Sequence, residues 1–302
     1  MVPSPLNGVL VQPRLTQHRI AAVMVDNYPI GTRPQSGLAG ADVVYEVEAE
    51  GGVTRYMALY LENAPAKIGP VRSARMYFVD LARPYNPYFA HAGENDDVWE
   101  PLKELREEGF ADMEEILGAE EAFWRDDSRD MPHNLYTSIA DLRAAAPNHG
   151  WPDTPLGKSE FTYYGLTLAP RAFDVTVNFW RPYQVRFSYS GGAYRRSIGG
   201  DVQHDLEDAS PYGIADVVAV WIPADVMDDQ GDLKMNVYGS FPAIAVRGGL
   251  VTQGTWTAIG PDDLPRLTDP DGDPILLTPG QIYVEVLPQG GSVEIGNQTW
   301  SY

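Results

Sequence analysis

Between residues 147 and 155 the chain changes character, and that change constrains its fold more than any other feature. Pro147-Asn148-His149-Gly150-Trp151-Pro152-Asp153-Thr154-Pro155 is dense in residues that end helices and strands. Before it, strand-like and helix-like stretches alternate. After it, only strand-like stretches follow. A chain of 302 residues, 44% of them hydrophobic, has the material to bury a substantial core. The expectation is an α/β (α+β) protein: a mixed sheet with flanking helices, followed by a mainly antiparallel β-region. The breaker-rich stretch divides it into residues 1–150 and 151–302.

Within the first part, residues 20–25 form a short apolar run closed by Asp26 and Asn27, which reads as a buried strand with a polar end. Ser36 is placed to cap a short helical piece after the turn at 33–37. Residues 42–50 and 54–61 read as strands joined at Gly51-Gly52. A helix is expected from Arg72 to about Ala82 and a strand at 88–92. Two more helices are expected, at 98–105 behind Asn95 and at 138–146 behind Thr137 or Ser138. In the second part, strands are expected at 175–179, 184–189, 217–222, 233–238, 243–247 and 282–287. Gly191-Gly192 and Gly248-Gly249 sit at hairpin turns.

Composition excludes several classes of function. Lys and Arg number 22 against 42 Asp and Glu, a formal net charge of −20, which argues against a protein that coats nucleic acid. Cysteine is absent, so disulfides, thiolate metal sites and cysteine nucleophiles are excluded. No apolar run approaches the roughly 18 residues needed to span a bilayer as a helix. Residues 1–8 lack the basic and apolar regions of a signal peptide. Two expectations stay open, a cytosolic protein or the soluble part of an exported one.

Ile68-Gly69-Pro70-Val71-Arg72-Ser73-Ala74-Arg75 is the stretch most suggestive of chemistry. On a helix that opens after the Gly-Pro turn, Arg72 and Arg75 would share a face, with backbone N–H groups free at the helix start. An anionic ligand is one reading, and a buried arginine cluster paired with acids is the other. Glu46, Glu48 and Glu50 alternate along one strand and so point to one face of it. Arg55 lies within reach of Glu50 across the hairpin. Those carboxylates are a solvated strand face, or with Asp26 they hold a divalent metal beside the arginines. Phe123-Trp124-Arg125 and Pro132-His133-Asn134 add further donors. Histidine is the side chain suited to general acid or base work near neutral pH, so His133 is the candidate for proton transfer. The alternative is that His133 and Asn134 brace the following helix. His91, at a strand end, reads as a satisfied core group. Asp269-Pro270-Asp271-Gly272-Asp273 reads as an acidic turn rather than a calcium loop, because no Glu stands at the twelfth position.

Taken in order, residues 22–27, 33–37, 41–46, 50–55, 68–75, 123–125 and 132–137 resemble the YerB-like bacterial lipoproteins. Leu233-Lys234-Met235, Gly254-Thr255-Trp256, Asp271-Gly272 and residues 277–280 resemble the C-terminal part of the same family. The resemblance covers nearly the whole chain. It implies an extracytoplasmic protein, membrane-anchored in its precursor through a lipidated cysteine that this chain lacks. The family is catalogued without an activity. A looser similarity in order and residue type links Asp42, Arg55, Arg72 and Arg75 to the LytR-CpsA-Psr phosphotransferases, which hold a polyprenyl pyrophosphate. The expected site therefore gathers Arg55, Arg72, Arg75 and Arg125 with His133, Asn134, Asp26, Glu46 and Glu50. It serves a binding protein for an anionic ligand or envelope partner. The alternative is a phosphotransferase or hydrolase acting on a phosphoryl-linked envelope precursor, with a divalent metal as the one cofactor in view.

Overall fold

The computed structural model describes residues 1–28, 30–159, 161–164, 173–180, 183–229 and 231–302. The first part supplies β1 (Ala21–Asp26), β2 (Val43–Glu50), β3 (Val53–Tyr60), α1 (Met76–Ala82), β4 (Tyr88–His91), α2 (Asp96–Glu107), β5 (Asp112–Glu114), β6 (Phe123–Arg125), β7 (Leu135–Thr137) and α3 (Ile139–Ala145). The second part supplies β8 (Val175–Trp180), β9 (Tyr183–Ser190), β10 (Ala193–Ile198), β11 (Ile214–Trp221), β12 (Ala224–Val226), β13 (Leu233–Met235), β14 (Gly239–Arg247), β15 (Leu250–Ala258), β16 (Arg266–Thr268), β17 (Gln281–Leu287), β18 (Ser292–Ile295) and β19 (Gln298–Ser301). This is the mixed sheet with flanking helices that the sequence implied. Its second part is mostly antiparallel and, among the described residues, holds no helix.

One sheet carries strands from both parts in the order β19-β18-β8-β9-β10-β11-β17-β2-β3-β1-β4-β5. Strand β17 pairs in parallel with both β11 and β2, so the end of the chain returns to the middle of the sheet. Strands β11, β17, β2, β1, β4 and β5 run one way, and β3 alone is inverted among them. The loops that leave the parallel strands therefore gather at one end, where ligands bind in open α/β sheets.

Alternation along the central strands sorts side chains into two cores. Val43, Tyr45, Val47, Met57 and Leu59 face a core shared with α1 and α2. Val44, Tyr56, Ala58 and Tyr60 face a core shared with α3 and with β8–β10. Ser138 caps α3, its Oγ accepting from the Asp141 amide at 3.0 Å. Asn95 occupies the corresponding position of α2 without a side-chain bond. Ser36 caps nothing: its amide donates to Gly69 O at 2.9 Å and its hydroxyl to Glu207 at 2.9 Å.

Candidate functional site

The strip from Ile68 to Arg75 is extended, which corrects the helix expected from Arg72. α1 begins only at Met76 and has seven residues. Gly69 has φ +148°, and a Cβ there would lie 2.8 Å from Leu135 O and 2.9 Å from the Tyr136 ring. The strip's backbone bonds go to neighbouring elements instead of to itself. The Val71 amide donates to Leu135 O at 2.7 Å and the Arg72 amide to Met24 O at 3.1 Å. On its other side, the Ala92 amide donates to Arg72 O at 3.1 Å and the Ala74 amide to Gly93 O at 3.0 Å. The strip is thus spliced between β1, β7 and the segment after β4, across the carboxyl end of the parallel strands. No helix start therefore lies at Arg72.

This splicing splits the two arginines. Arg75 is buried, with Nη2 on Glu50 Oε2 at 2.8 Å and Nη1 on Ala74 O at 2.8 Å. Arg55, also buried, meets the other Glu50 oxygen at 2.5 Å and donates to Ser73 O at 3.2 Å. Asp232 approaches Arg75 Nε at 3.9 Å. The Arg55 guanidinium is drawn down to about 10, chiefly by burial, with the Arg75 charge next, Glu50 opposing and Arg72 adding to the fall. Arg55, Arg72 and Arg75 therefore share one electrostatic neighbourhood, with Glu50 bridging two of them.

Arg72 differs from its neighbours. Its side chain is 25% exposed, and its Nε lies 3.3 Å from Asp26 Oδ2 in an ion pair without hydrogen-bond geometry. Among the described residues its guanidinium makes no hydrogen bond. The same Asp26 oxygen accepts from His133 Nδ1 at 2.6 Å. Asp26 also takes the Tyr28 amide on its other oxygen at 3.1 Å. A carboxylate on Nδ1 fixes the tautomer and turns Nε2 outward. His133 is a quarter exposed and braces no helix, since Ser138 performs that capping. Asn134 and Arg125 sit beside this dyad: Arg125 donates to Asn134 Oδ1 at 3.0 Å and to Glu115 Oε1 at 2.7 Å. No interaction among the described residues joins Arg125 to the other arginines, so it tethers two loops.

Glu46 does not join this cluster. It is fully buried in the second core, paired with Arg196, and accepts from Tyr183 OH at 2.6 Å and Thr54 Oγ1 at 2.7 Å. The three-glutamate face also fails. A register shift between Glu48 and Glu50 turns Glu50 to the side of Arg55, opposite Glu46. The solvated-face reading fails with it, because Glu46 and Glu48 are buried. Among the described residues no group of three or more His, Asp or Glu is placed to hold a metal ion. Sequence reasoning missed Asp232 and Arg196, which lie far along the chain from their partners. For Arg196 a signal existed, because it shares strand parity with the buried Tyr194.

Comparison with known proteins places this architecture. Residues 6–152 match the N-terminal domain of a protein family of unknown function, DUF3048, and residues 175–284 match its C-terminal domain. A Bacillus subtilis (strain 168) protein named "Putative lipoprotein YerB" is 30% identical over 296 residues, covering 94% of this chain and 86% of that protein. The chain belongs to the DUF3048 family. The crystal structure of the Bacillus subtilis YerB protein matches it with a TM-score of 0.87 at 27% identity, over 97% of this chain and all of that one. The DUF3048 fold therefore spans both parts of the sheet. Among the described residues no helix is long and apolar enough to cross a membrane.

Proposed function

We propose that this protein is an envelope-associated binding protein whose ligand presents an anionic group, a phosphate or a carboxylate, to the crevice at the carboxyl end of the parallel strands. The observation that carries the reading is Arg72: a partly exposed guanidinium, steered by Asp26, whose terminal nitrogens make no hydrogen bond among the described residues. A planar fork of this kind matches two oxygens of a phosphate or carboxylate at once. Arg55 and Arg75 add positive field behind it but spend their donors on Glu50 and backbone carbonyls. The lipoprotein name of the Bacillus subtilis relative supports a location outside the cytoplasm, tethered to the membrane. Titration calorimetry with inorganic phosphate and pyrophosphate tests the site. Binding that disappears in Arg72→Ala and persists in Arg125→Ala is expected. Equal affinity in wild type and Arg72→Ala would refute the assignment.

The Asp26–His133 pair favours a second reading, in which the bound group is also transformed. His133 Nε2 would accept a proton from an attacking hydroxyl or water while Arg72 offsets charge on a phosphoryl group. This is the phosphotransferase or hydrolase alternative. Phosphate release from a diphosphate ester, lost in His133→Ala with binding retained, would select it over simple binding.

A further inference from the structure

A second pattern surrounds this crevice. Six large apolar side chains stand exposed on its loops: Tyr28 just after β1, Ile116 and Leu117 just after β5, Met131 shortly before His133, and Val226 and Met227 at the β12–β13 hairpin. Ile116, Met131 and Val226 are 72%, 68% and 63% exposed. Four of the six are tied through their backbone amides to acidic residues of this end of the sheet. The Tyr28 amide donates to Asp26, and the amides of Ile116 and Leu117 donate to Glu114 Oε2 at 2.7 and 2.6 Å. The Met227 amide donates at 2.7 Å to the carbonyl of Asp232, the residue that faces Arg75. Arg125 links the Ile116 loop to the His133 loop through Glu115 and Asn134.

The span is small. From β2 through β3, β1 and β4 to β5 there are four inter-strand steps, about 19 Å at roughly 4.8 Å each. Single exposed apolar residues are ordinary. Six on the loops beside one charged cluster, four of them with anchored amides, form a pattern that marks a binding surface. The occupant suggested by a cationic centre and an apolar rim has a charged head and a hydrocarbon body. With a net charge of −20, the chain as a whole is repelled by an anionic lipid surface, which favours capture of one molecule at a time.

We propose that the ligand of this crevice is an amphiphile, a long-chain alkyl phosphate in chemical class. Its head sits at Arg72 and His133, and its chain lies across the apolar rim. The proposal rests on the anion-binding reading above and adds the nature of the rest of the molecule. Calorimetry on the whole chain compares inorganic phosphate, decyl phosphate below its micelle concentration, and decanol. Decyl phosphate should bind at least tenfold tighter than phosphate, because each methylene removed from water adds affinity. Decanol should bind more weakly than decyl phosphate. The double variant Ile116→Ser with Met131→Gln should lose the gain from the chain while keeping its phosphate affinity, and Arg72→Ala should lose both. Equal binding of phosphate and decyl phosphate would overturn the amphiphile and leave the anion site standing. Absence of binding by either phosphate would overturn both readings. Decanol as tight as decyl phosphate, or a chain gain untouched in the rim variant, would overturn the arrangement proposed here.

Discussion

At the scale of single residues, Arg72 and Arg75 show how position in a fold decides what one side chain does. Both belong to the same eight-residue strip, yet Arg75 is sealed against Glu50 while Arg72 is left with open donors. Arg75→Ala should cost about 1–3 kcal/mol, because a buried guanidinium is removed from the partly exposed Glu50 carboxylate, which keeps only Arg55. Relief of the repulsion that draws Arg55 down should limit that loss. Arg72→Ala should change stability by about 1 kcal/mol or less, since Asp26 keeps His133 and the lost pair is partly solvated. Urea denaturation of both variants checks this ordering. Equal losses would mean that Arg72 is as structural as Arg75.

At the scale of elements, β4, β5 and α2 are joined by a buried histidine. His91 Nδ1 lies 3.0 Å from Gly93 O and Nε2 lies 2.6 Å from Asp112 Oδ1, and Arg106 of α2 holds the other Asp112 oxygen. Both partners of the ring only accept hydrogen bonds, so both nitrogens donate and the ring carries a charge. Burial pulls the His91 pKa down, but the Asp112 charge, its hydrogen bond and the Gly93 carbonyl outweigh it and raise the pKa; Glu94, 3.8 Å away, adds to the rise. A raised histidine stabilises the fold fully below the unfolded value of about 6.5. That contribution is lost as pH climbs through the folded value, where the native state gives up its extra proton. Urea melts across neutral to alkaline pH should therefore show wild-type stability falling, with a flatter profile in His91→Gln. Identical profiles would remove the charged ring from the account.

At the scale of the whole molecule, the two sequence parts close on one buried ion pair. Arg196 of β10 reaches Glu46 of β2, and Glu285 of β17 lies beside them. Burial, reinforced by the Glu46 charge, holds the Glu285 carboxyl well above the usual range; Arg196 opposes the shift. Arg196→Met should destabilise the protein by about 3–5 kcal/mol, because it leaves a buried carboxylate unpaired. Adding Glu46→Gln should recover part of that loss, a coupling that independent sites do not show. Additive losses in a denaturation cycle would mean that the pair does not fasten the two parts together.

The sequence by itself determined several of the segments that become strands and helices. Apolar alternation in 43–50 and 53–60, the glycine turn between them and the serine before α3 are local signals, and the physics they report is local as well. It also placed Arg55 against Glu50, because a hairpin fixes its own register. Tertiary structure decided what local signals do not encode. The Ile68–Arg75 strip became extended because β1, β7 and the segment after β4 offered its backbone partners, which outweighed a helical start. Glu50 left the face of Glu46 through a bulge, which the strand's own alternation does not announce. Glu46 became buried because Arg196, 150 residues away, arrived to neutralise it. A charged residue's role depends on which opposite charge reaches it, and in this chain those partners arrive only when distant strands join one sheet.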